Sequence, residues 1–198
     1  MSGIANQEYD LSCVPYNDGP RWYVMRDLTR TNAKMPAYKM LEGMVSKVFT
    51  PMTWKVVKVK GKGKRVQVPF MHDLLFVYDR RKNIDQIVER IGTFQYRYLR
   101  GTYRVPMTVR EADMNRSMQA VEMSDDPKYY SPNEITPAMV GRSVRIIGGP
   151  LDGYEGRLQK LQGSRTKRLL VELPGLITAA VEVCPEYIEL VWKLVLMM

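Results

Sequence analysis

The stretch of sequence that decides the fold is Gly141-Arg-Ser-Val-Arg-Ile-Ile-Gly-Gly-Pro-Leu-Asp-Gly-Tyr-Glu-Gly156. A short β-prone run at 144–147 is interrupted by Gly148-Gly149-Pro150, and Gly153 and Gly156 follow within a few residues. Closely spaced glycines supply the positive φ angles that a tight connection between strands needs, and proline fixes one φ within it. The stretch therefore predicts two antiparallel strands joined by a glycine-rich turn.

The order of this stretch, hydrophobic-Arg-hydrophobic, Gly-Pro and then two glycines three apart, resembles the KOW motif. That motif forms the core of a small SH3-like β-barrel found in transcription elongation factors and ribosomal proteins. Five residues carry the resemblance: Val144, Gly149, Pro150, Gly153 and Gly156. Further strands are predicted at 168–173, 179–183 and 187–191, so the barrel is expected to occupy residues 135–192. An ordinary hairpin of some other barrel is the alternative.

Composition and cysteine content favour a globular protein of the cytoplasm. Hydrophobic residues make up 45% of the 198 residues. Cys13 and Cys184 belong to unrelated stretches, so they predict neither a disulfide framework nor a metal cluster. The N-terminus lacks the basic-then-apolar order of a signal peptide. The apolar run at 190–198 is interrupted by Lys193 and is too short for a bilayer, so no membrane contact is expected.

The net charge of +9 is concentrated in one half of the chain. Residues 21–123 carry 21 Lys and Arg against nine Asp and Glu, whereas residues 135–192 carry seven against six. Such asymmetry indicates a polyanionic partner for the first half and not for the second.

The first half predicts an α+β sandwich at residues 21–123. Runs of β-branched and aromatic residues predict strands at 21–26, at 47–59, in a hairpin that ends at Val68, at 74–78 and at 94–105. Amphipathic spacing predicts helices at 33–45, at 84–91 with Asn83 as N-cap, and at 109–123. The resulting order, β-α-β-β-β-α-β-α, is typical of a sheet with helices packed on it.

Three segments are predicted to lie outside the two domains. Residues 1–20 show no hydrophobic period and are expected to form an arm. Residues 124–134 are rich in turn formers and acids, which predicts a linker. Residues 193–198 form a short C-terminal tail.

The predicted hairpin is strongly basic. Between Trp54 and Val68 there are six cations and no acid, and glycines 61 and 63 are predicted to mark its tip. The candidate phosphate contacts are Lys58, Lys60, Lys62, Lys64 and Arg65. A solvated edge hairpin is the alternative, because lysines on an edge strand also prevent aggregation.

The stretch 94–105 interleaves aromatic residues with arginine. Tyrosine rings can stack on bases while arginines neutralise phosphates, which makes Arg97, Arg100 and Arg104 candidate nucleic-acid contacts. A half-buried strand with a basic outer face explains the same residues equally well.

Taken together, these features resemble the NusG family, and within it the specialised paralogues that act as operon-specific antiterminators. The resemblance rests on Arg21-Trp22-Tyr23-Val24, the basic hairpin, the Phe76-Val77 strand, three helices, a linker and the KOW stretch. It implies an apolar depression that binds the clamp helices of bacterial RNA polymerase. The residues implied to form or support it are Trp22, Tyr23, Phe70, Leu74 and Phe76, with a core position as the alternative for several of them.

The resemblance also implies the other partners. The basic residues would lie near non-template or upstream DNA, or nascent RNA, and the KOW domain would recruit further factors, such as a ribosomal protein. The protein is expected to act as a monomer. The alternative is a KOW-containing ribosome- or RNA-binding protein without polymerase contact.

Two departures from the family pattern bear on function. The family commonly has Phe-Pro-Gly-Tyr before its central strand, where this chain has Met71-His72-Asp73-Leu74. In the partner loop of the barrel, general NusG proteins place an aromatic residue before a glycine; here Pro174 precedes Gly175, and Leu176 and Ile177 follow. Since proline offers less apolar area than an aromatic ring, weak binding of termination factor Rho is expected.

Nothing in the sequence predicts catalysis. The chain has one histidine, His72, and no serine or cysteine adjoins it in a nucleophile motif. The glycine-lysine stretch at 61–64 lacks the spacing of a phosphate-binding loop, and no spaced His/Cys set predicts zinc. A non-enzymatic protein without cofactor or metal is expected.

Overall fold

A computed structural model describes residues 19–30, 33–59, 62–149, 151–160 and 167–191. The fold is mixed α/β, with mostly strands and few helices. In chain order its elements are β1 (Arg21–Asp27), α1 (Ala37–Met40), β2 (Lys47–Phe49), β3 (Met52–Val59), β4 (Lys62–Pro69), β5 (Leu75–Asp79), α2 (Arg81–Arg90), β6 (Phe94–Tyr96), β7 (Thr108–Val109), α3 (Glu111–Glu122), β8 (Lys128–Tyr130), β9 (Val140–Ile146), β10 (Glu155–Gln159), β11 (Lys167–Leu173), β12 (Ile177–Val183) and β13 (Ile188–Leu190).

The first sheet has the order β2-β5-β1-β6, and β7 also pairs with β1. Its central strands β1 and β5 are antiparallel, and they alternate their side chains between two faces. One face packs on α1 and α2, where Tyr23, Met25 and Val77 are buried with Leu41 and Ile84. The opposite face packs on α3, so helices cover both faces of the sheet's centre.

The second sheet contains six strands in the order β13-β9-β10-β11-β12-β8, and all neighbours are antiparallel. Its strands β9 to β13 correspond to the strands predicted between 135 and 192. The segment 124–134, predicted as a linker, contributes the edge strand β8, which pairs with β12 through Tyr129 and Ala179. This pairing is non-local, and buried Tyr129 favours it by removing an aromatic ring from water.

The basic hairpin is confirmed as a separate two-stranded sheet of β3 and β4. The register runs from Met52 opposite Pro69 to Val59 opposite Lys62. Gly63 therefore lies inside β4, opposite Lys58, and does not mark the tip as predicted. The predicted contact Lys60, the motif residue Pro150, most of the predicted arm at 1–20 and the predicted tail at 193–198 lie outside the described residues.

Two helix predictions need correction. The helix predicted at 33–45 is reduced to α1, because Pro36 precedes it in an extended conformation and Gly43 has a φ of 82°. Asn83 is not an N-cap, since α2 begins at Arg81. Instead, Asp79 Oδ1 accepts hydrogen bonds from the Arg80 amide at 2.6 Å and from Asn83 Nδ2 at 2.8 Å.

One apolar cluster, here called the shared cluster, joins the two halves of the chain. From the first half it contains the α3-facing side of the sheet together with Met114 and Ala120 of α3. From the second half, which from here on includes β8, it contains Tyr129 and residues of β9, β11 and β12. Helix α3 contacts both β1 and the strands β11 and β12. The second sheet therefore packs against α3, the same helix that covers one face of the first sheet.

Candidate interfaces for protein and nucleic acid

The predicted polymerase-binding residues do not form one surface. Trp22, Leu74 and Phe76 are buried in the shared cluster, at 1% exposure or less, and half-buried Phe70 packs against them. Tyr23 lies on the opposite face of the sheet, where its ring is 5.7 Å from that of Tyr96. Adjacent residues of a strand point to opposite faces, so Trp22 and Tyr23 could not have shared a surface. Tyr23 therefore belongs to the core on the α1 and α2 side of the sheet and not to the surface that continues Trp22 and Phe76.

The accessible edge of the apolar face lies around Phe70. Phe49, Phe70 and Met71 are half-buried and pack against the shared cluster. The rings of Phe70 and Tyr129 have centroids 5.4 Å apart, within the range of a favourable aromatic pair. Burial raises the pKa of Tyr129 to about 12, as expected for a phenol withdrawn from water. Strand β8 of the second half thus covers apolar surface of the first half.

The hairpin cations are divided between its two faces. Directly opposed residues share a face, so Lys58 and Arg65 lie on one side, and Lys62 and Lys64 lie on the other. All four are exposed. The hairpin therefore presents positive charge on both of its faces. A phosphate-binding element and a solvated edge hairpin would each show this arrangement.

Arg65 differs from the hairpin lysines because part of its charge is already matched. Its guanidinium lies 4.7 Å from the centroid of the Trp54 ring, and Nη2 is 3.8 Å from Asp126 Oδ1. The pKa of Asp126 is lowered, chiefly by a 2.6 Å hydrogen bond from Lys128 Nζ. Since Asp126 precedes β8, this ion pair links the hairpin to the segment that begins the second sheet.

The strand predicted at 94–105 ends at Tyr96. The chain then leaves the sheet edge at Arg97 and returns at Met107. Both residues are hydrogen-bonded to Val24 of β1. The Arg97 amide donates to Val24 O, and the Val24 amide donates to Met107 O. The segment between them, residues 98–106, is here called the excursion. The prediction of one continuous strand is wrong beyond Tyr96, because these two attachments to one residue leave the intervening segment outside the sheet.

The three arginines predicted for nucleic acid have different surroundings. Arg97 is 27% exposed at its side chain and forms an ion pair with Asp73 at 3.4 Å, which gives it a structural role. Arg100 and Arg104 are exposed on the excursion. Tyr103 lies beside them at 85% exposure, and the Arg104 guanidinium is 5.5 Å from its ring centroid.

The glycine-rich stretch has the conformation that its sequence predicts. Gly148, Gly149 and Gly153 have φ values of 86°, 67° and 74°. Gly156 serves a different purpose: a Cβ there would lie 2.8 Å from the Tyr154 ring and 3.0 Å from Leu169. This glycine is needed because two side chains pack directly on its backbone.

The predicted partner loop of the second half is only partly accessible. Pro174 is exposed, and Gly175 follows it with a φ of 70°. Leu176 and Ile177 are 4% and 3% exposed and belong to the shared cluster. They are core residues here, and the prediction that they form a docking surface is not compatible with this burial.

Outside these surfaces, His72 has a structural contact, since its Nε2 lies 2.6 Å from Thr29 O. Within the described ranges, no group of three or more His, Cys, Asp or Glu residues is placed to hold a metal ion. Of the helices in those ranges, none has the length and hydropathy to cross a membrane.

No protein-family model matches the chain, and no curated protein matches it. Among solved structures, the chain is similar to one titled "Domain interaction in Thermotoga maritima NusG". The sequence identity is 15%, the similarity covers 87% of this chain and 98% of that chain, and the TM-score is 0.45. At this identity and TM-score, the likeness says nothing about what this chain binds.

Proposed function

We propose that the chain is a transcription elongation factor of the NusG type, which binds bacterial RNA polymerase and acts in antitermination. Residues 21–123 are the polymerase-binding domain, residues 124–134 connect it to the second domain, and residues 135–192 are a KOW domain. The protein acts in the cytoplasm as a monomer, without a catalytic centre, cofactor or metal.

The observation that supports polymerase binding is the apolar surface around Phe70. It continues the buried face of Trp22 and Phe76, and it accepts the aromatic ring of Tyr129 from the second half. A surface that accepts an aromatic side chain from β8 can equally accept the apolar side chains of a partner helix. The proposed site therefore consists of Phe49, Phe70 and Met71, and Tyr129 has to move away before a partner binds.

The proposed mechanism is a shift of a conformational equilibrium. A factor that binds the closed form of the polymerase clamp more tightly than the open form raises the closed population. Because opening accompanies pausing, this preference favours processive elongation. The lysines of the hairpin would contact upstream or non-template DNA, or nascent RNA, and add a salt-dependent contribution to binding.

The second half is proposed to select the protein's other partners. Pro174 is exposed at the loop between β11 and β12, and it presents less apolar surface than an aromatic residue. Weak binding of Rho would follow, while contact with a ribosomal protein could use other parts of this domain. The chain would then prevent termination by occupying polymerase in place of a factor that recruits Rho.

The polymerase-binding site is tested by a pair of substitutions. Tyr129→Ala uncovers Phe70, so immobilised full-length protein should retain several-fold more purified bacterial RNA polymerase than the wild type. Adding Phe70→Ala to that variant removes an aromatic contact, and retention should fall about 10-fold or more below that of Tyr129→Ala alone. Val56→Ala, an exposed apolar residue of the hairpin, is the matched control.

The proposed function is wrong if the wild type and Tyr129→Ala both retain no polymerase while circular dichroism shows folded protein. Retention of ribosomal subunits in the same experiment would favour the alternative, a KOW-containing ribosome- or RNA-binding protein. An equal loss of polymerase with Val56→Ala would place the contact on the hairpin instead of around Phe70.

The hairpin lysines are tested by the salt dependence of DNA binding. In a variant with Lys58, Lys62 and Lys64 replaced by glutamine, the negative slope of log K against log salt should become shallower by roughly 1–3 for duplex DNA. Each phosphate contact contributes about 0.9, and the three lysines are divided between two faces. Arg65→Gln should change the slope less, because Asp126 already lies near this cation. Fluorescence anisotropy at several salt concentrations gives the slopes, and an unchanged slope in the triple variant would identify the hairpin as a solvated edge.

A further inference from the structure

We propose that the excursion at 98–106 is a binding site for single-stranded nucleic acid, in which the Tyr103 ring stacks on a base. Arg100 and Arg104 contact the phosphates on either side of that base. This inference rests on the proposed function, which places the chain in a transcription complex. It adds the type of nucleic acid that is bound and the residue that contacts its bases.

The first observation is the exposure of Tyr103. At 85% it exceeds that of every other exposed large hydrophobic side chain among the described residues, and the next is Val56 at 74%. A ring in this position contributes little to the core, and its surface is available for stacking. Aromatic side chains stack on bases of any sequence, because every base has a π-face.

The second observation is that the excursion is held together by its own hydrogen bonds. The Leu99 amide donates to Val105 O at 2.9 Å, Thr102 Oγ1 donates to Leu99 O at 2.9 Å, and Tyr98 bridges to Pro106. At its base, the Met107 amide donates to Arg97 O at 2.7 Å. A ring carried on a closed and anchored segment loses little conformational entropy when it binds a ligand.

The third observation is the uncompensated charge around the ring. From Tyr98 to Arg110 the chain contains three arginines and no acid. Arg110 is matched by Asp113 at 2.7 Å, whereas Arg100 and Arg104 have no carboxylate within 4 Å among the described residues. Two arginines without an acidic partner, one of them 5.5 Å from the ring centroid, complement a base and its neighbouring phosphates.

These observations favour a single strand over a duplex or a protein. In a duplex the bases are stacked on one another, so a tyrosine at a loop tip has no free base face to contact. Tyrosine and arginine also occur at protein interfaces, but such sites centre on a buried apolar core. The neighbours of Tyr103 in the chain, Thr102 and Arg104, are polar. The other exposed apolar residues of the excursion, Tyr98 and Val105, are 45% and 42% exposed, so no buried apolar core surrounds the ring.

The test measures binding of full-length protein to labelled oligonucleotides by fluorescence anisotropy. The probes are oligothymidine and oligouridine of twelve nucleotides and a DNA duplex of the same length. Tyr103→Ser should weaken binding to a single strand about 5- to 100-fold, whereas Tyr103→Phe, which keeps the ring, should restore it. Duplex binding should be the same for all three proteins.

Arginine variants test the phosphate contacts separately. Arg104→Gln should reduce the salt slope for a single strand by about 0.7, the contribution of one phosphate. The matched control, Arg110→Gln, removes a cation that Asp113 already neutralises, and it should leave the slope unchanged. If binding of oligothymidine or of oligouridine depends on Tyr103, the site is supported. The oligonucleotide that shows this dependence identifies the ligand as single-stranded DNA or single-stranded RNA.

The proposal is overturned if Tyr103→Ser binds both single strands as the wild type does, or if Tyr103→Phe fails to restore binding. It is also overturned if Tyr103→Ser weakens duplex and single-strand binding equally. These outcomes are independent of polymerase retention, which Tyr103→Ser should not alter because Tyr103 lies outside the Phe70 surface. A protein that stacks on single strands but retains no polymerase would overturn the proposed function alone.

Discussion

Trp22→Ala is expected to lower the free energy of unfolding by about 3–5 kcal/mol. Trp22 is 1% exposed, and its ring centroid lies 5.3 Å from that of Tyr78. Removing the indole leaves a cavity in the shared cluster, because β1 is paired on both sides and can move little to fill it. Chemical denaturation of the purified protein, followed by circular dichroism, measures the change.

Trp54→Ala is the matched control for this substitution. Trp54 lies on the hairpin at 38% exposure, and the Arg65 guanidinium lies 4.7 Å from the centroid of its ring. Losing such a contact should cost about 0.5–1 kcal/mol. If Trp22→Ala cost no more than Trp54→Ala, Trp22 would be a surface residue, as a direct contact with polymerase requires, and its placement in the core would be wrong.

Gly141→Ala is expected to destabilise the second half by about 1–3 kcal/mol. A Cβ at this position would lie 2.7 Å from the backbone oxygen of Leu158 in β10. A backbone atom in a paired strand cannot rotate away as a side chain can, so β9 and β10 would have to separate. The measurement is the melting temperature, together with amide NMR signals from β9 and β10.

Gly92→Ala provides the control for this second prediction. A Cβ at Gly92 would meet no atom within 4 Å, so the same added methyl group should change stability by less than about 1 kcal/mol. Equal effects at the two positions would contradict the close approach of Gly141 to Leu158.

Features encoded by neighbouring residues could be predicted from the sequence. The glycines at 148, 149 and 153 predict a turn with positive φ, and all three have it. The basic hairpin follows from two β-rich runs around a short polar segment, and its strands are present in full register. In both cases the residues that determine the structure are close together in the chain.

Features that depend on distant residues were missed. Strand β8 has only three residues between turn formers, and only its pairing with β12 makes it a strand. The excursion contains tyrosines and arginines at close spacing, which an exposed strand also allows, and its departure from the sheet depends on both bonds to Val24. The start of α2 depends on where β5 ends, since Asp79 organises the first turn.

The separation of two predicted site residues could have been recognised from the sequence alone. Trp22 and Tyr23 are adjacent in a predicted strand, so a period of two assigns them to opposite faces. The burial of Leu176 and Ile177, in contrast, depends on how the second sheet packs on α3, and no local pattern indicates it. The division into domains at 21–123 and 135–192 stays a prediction, and a fragment beginning at 135 would lack β8.

The connection between the two halves has a consequence for competition. Helix α3 ends at Glu122 and β8 begins at Lys128, so only residues 123–127 separate an element of the first half from a strand of the second. A tether this short holds detached partners at an effective concentration on the order of millimolar. An internal contact with an intrinsic dissociation constant near that value would still be formed about half of the time. A contact formed half of the time leaves the surface free for the other half, so it raises the apparent dissociation constant of an external ligand about 2-fold. An internal contact about ten times tighter would raise it about 11-fold, so the strength of the Tyr129 contact sets how strongly a partner must bind.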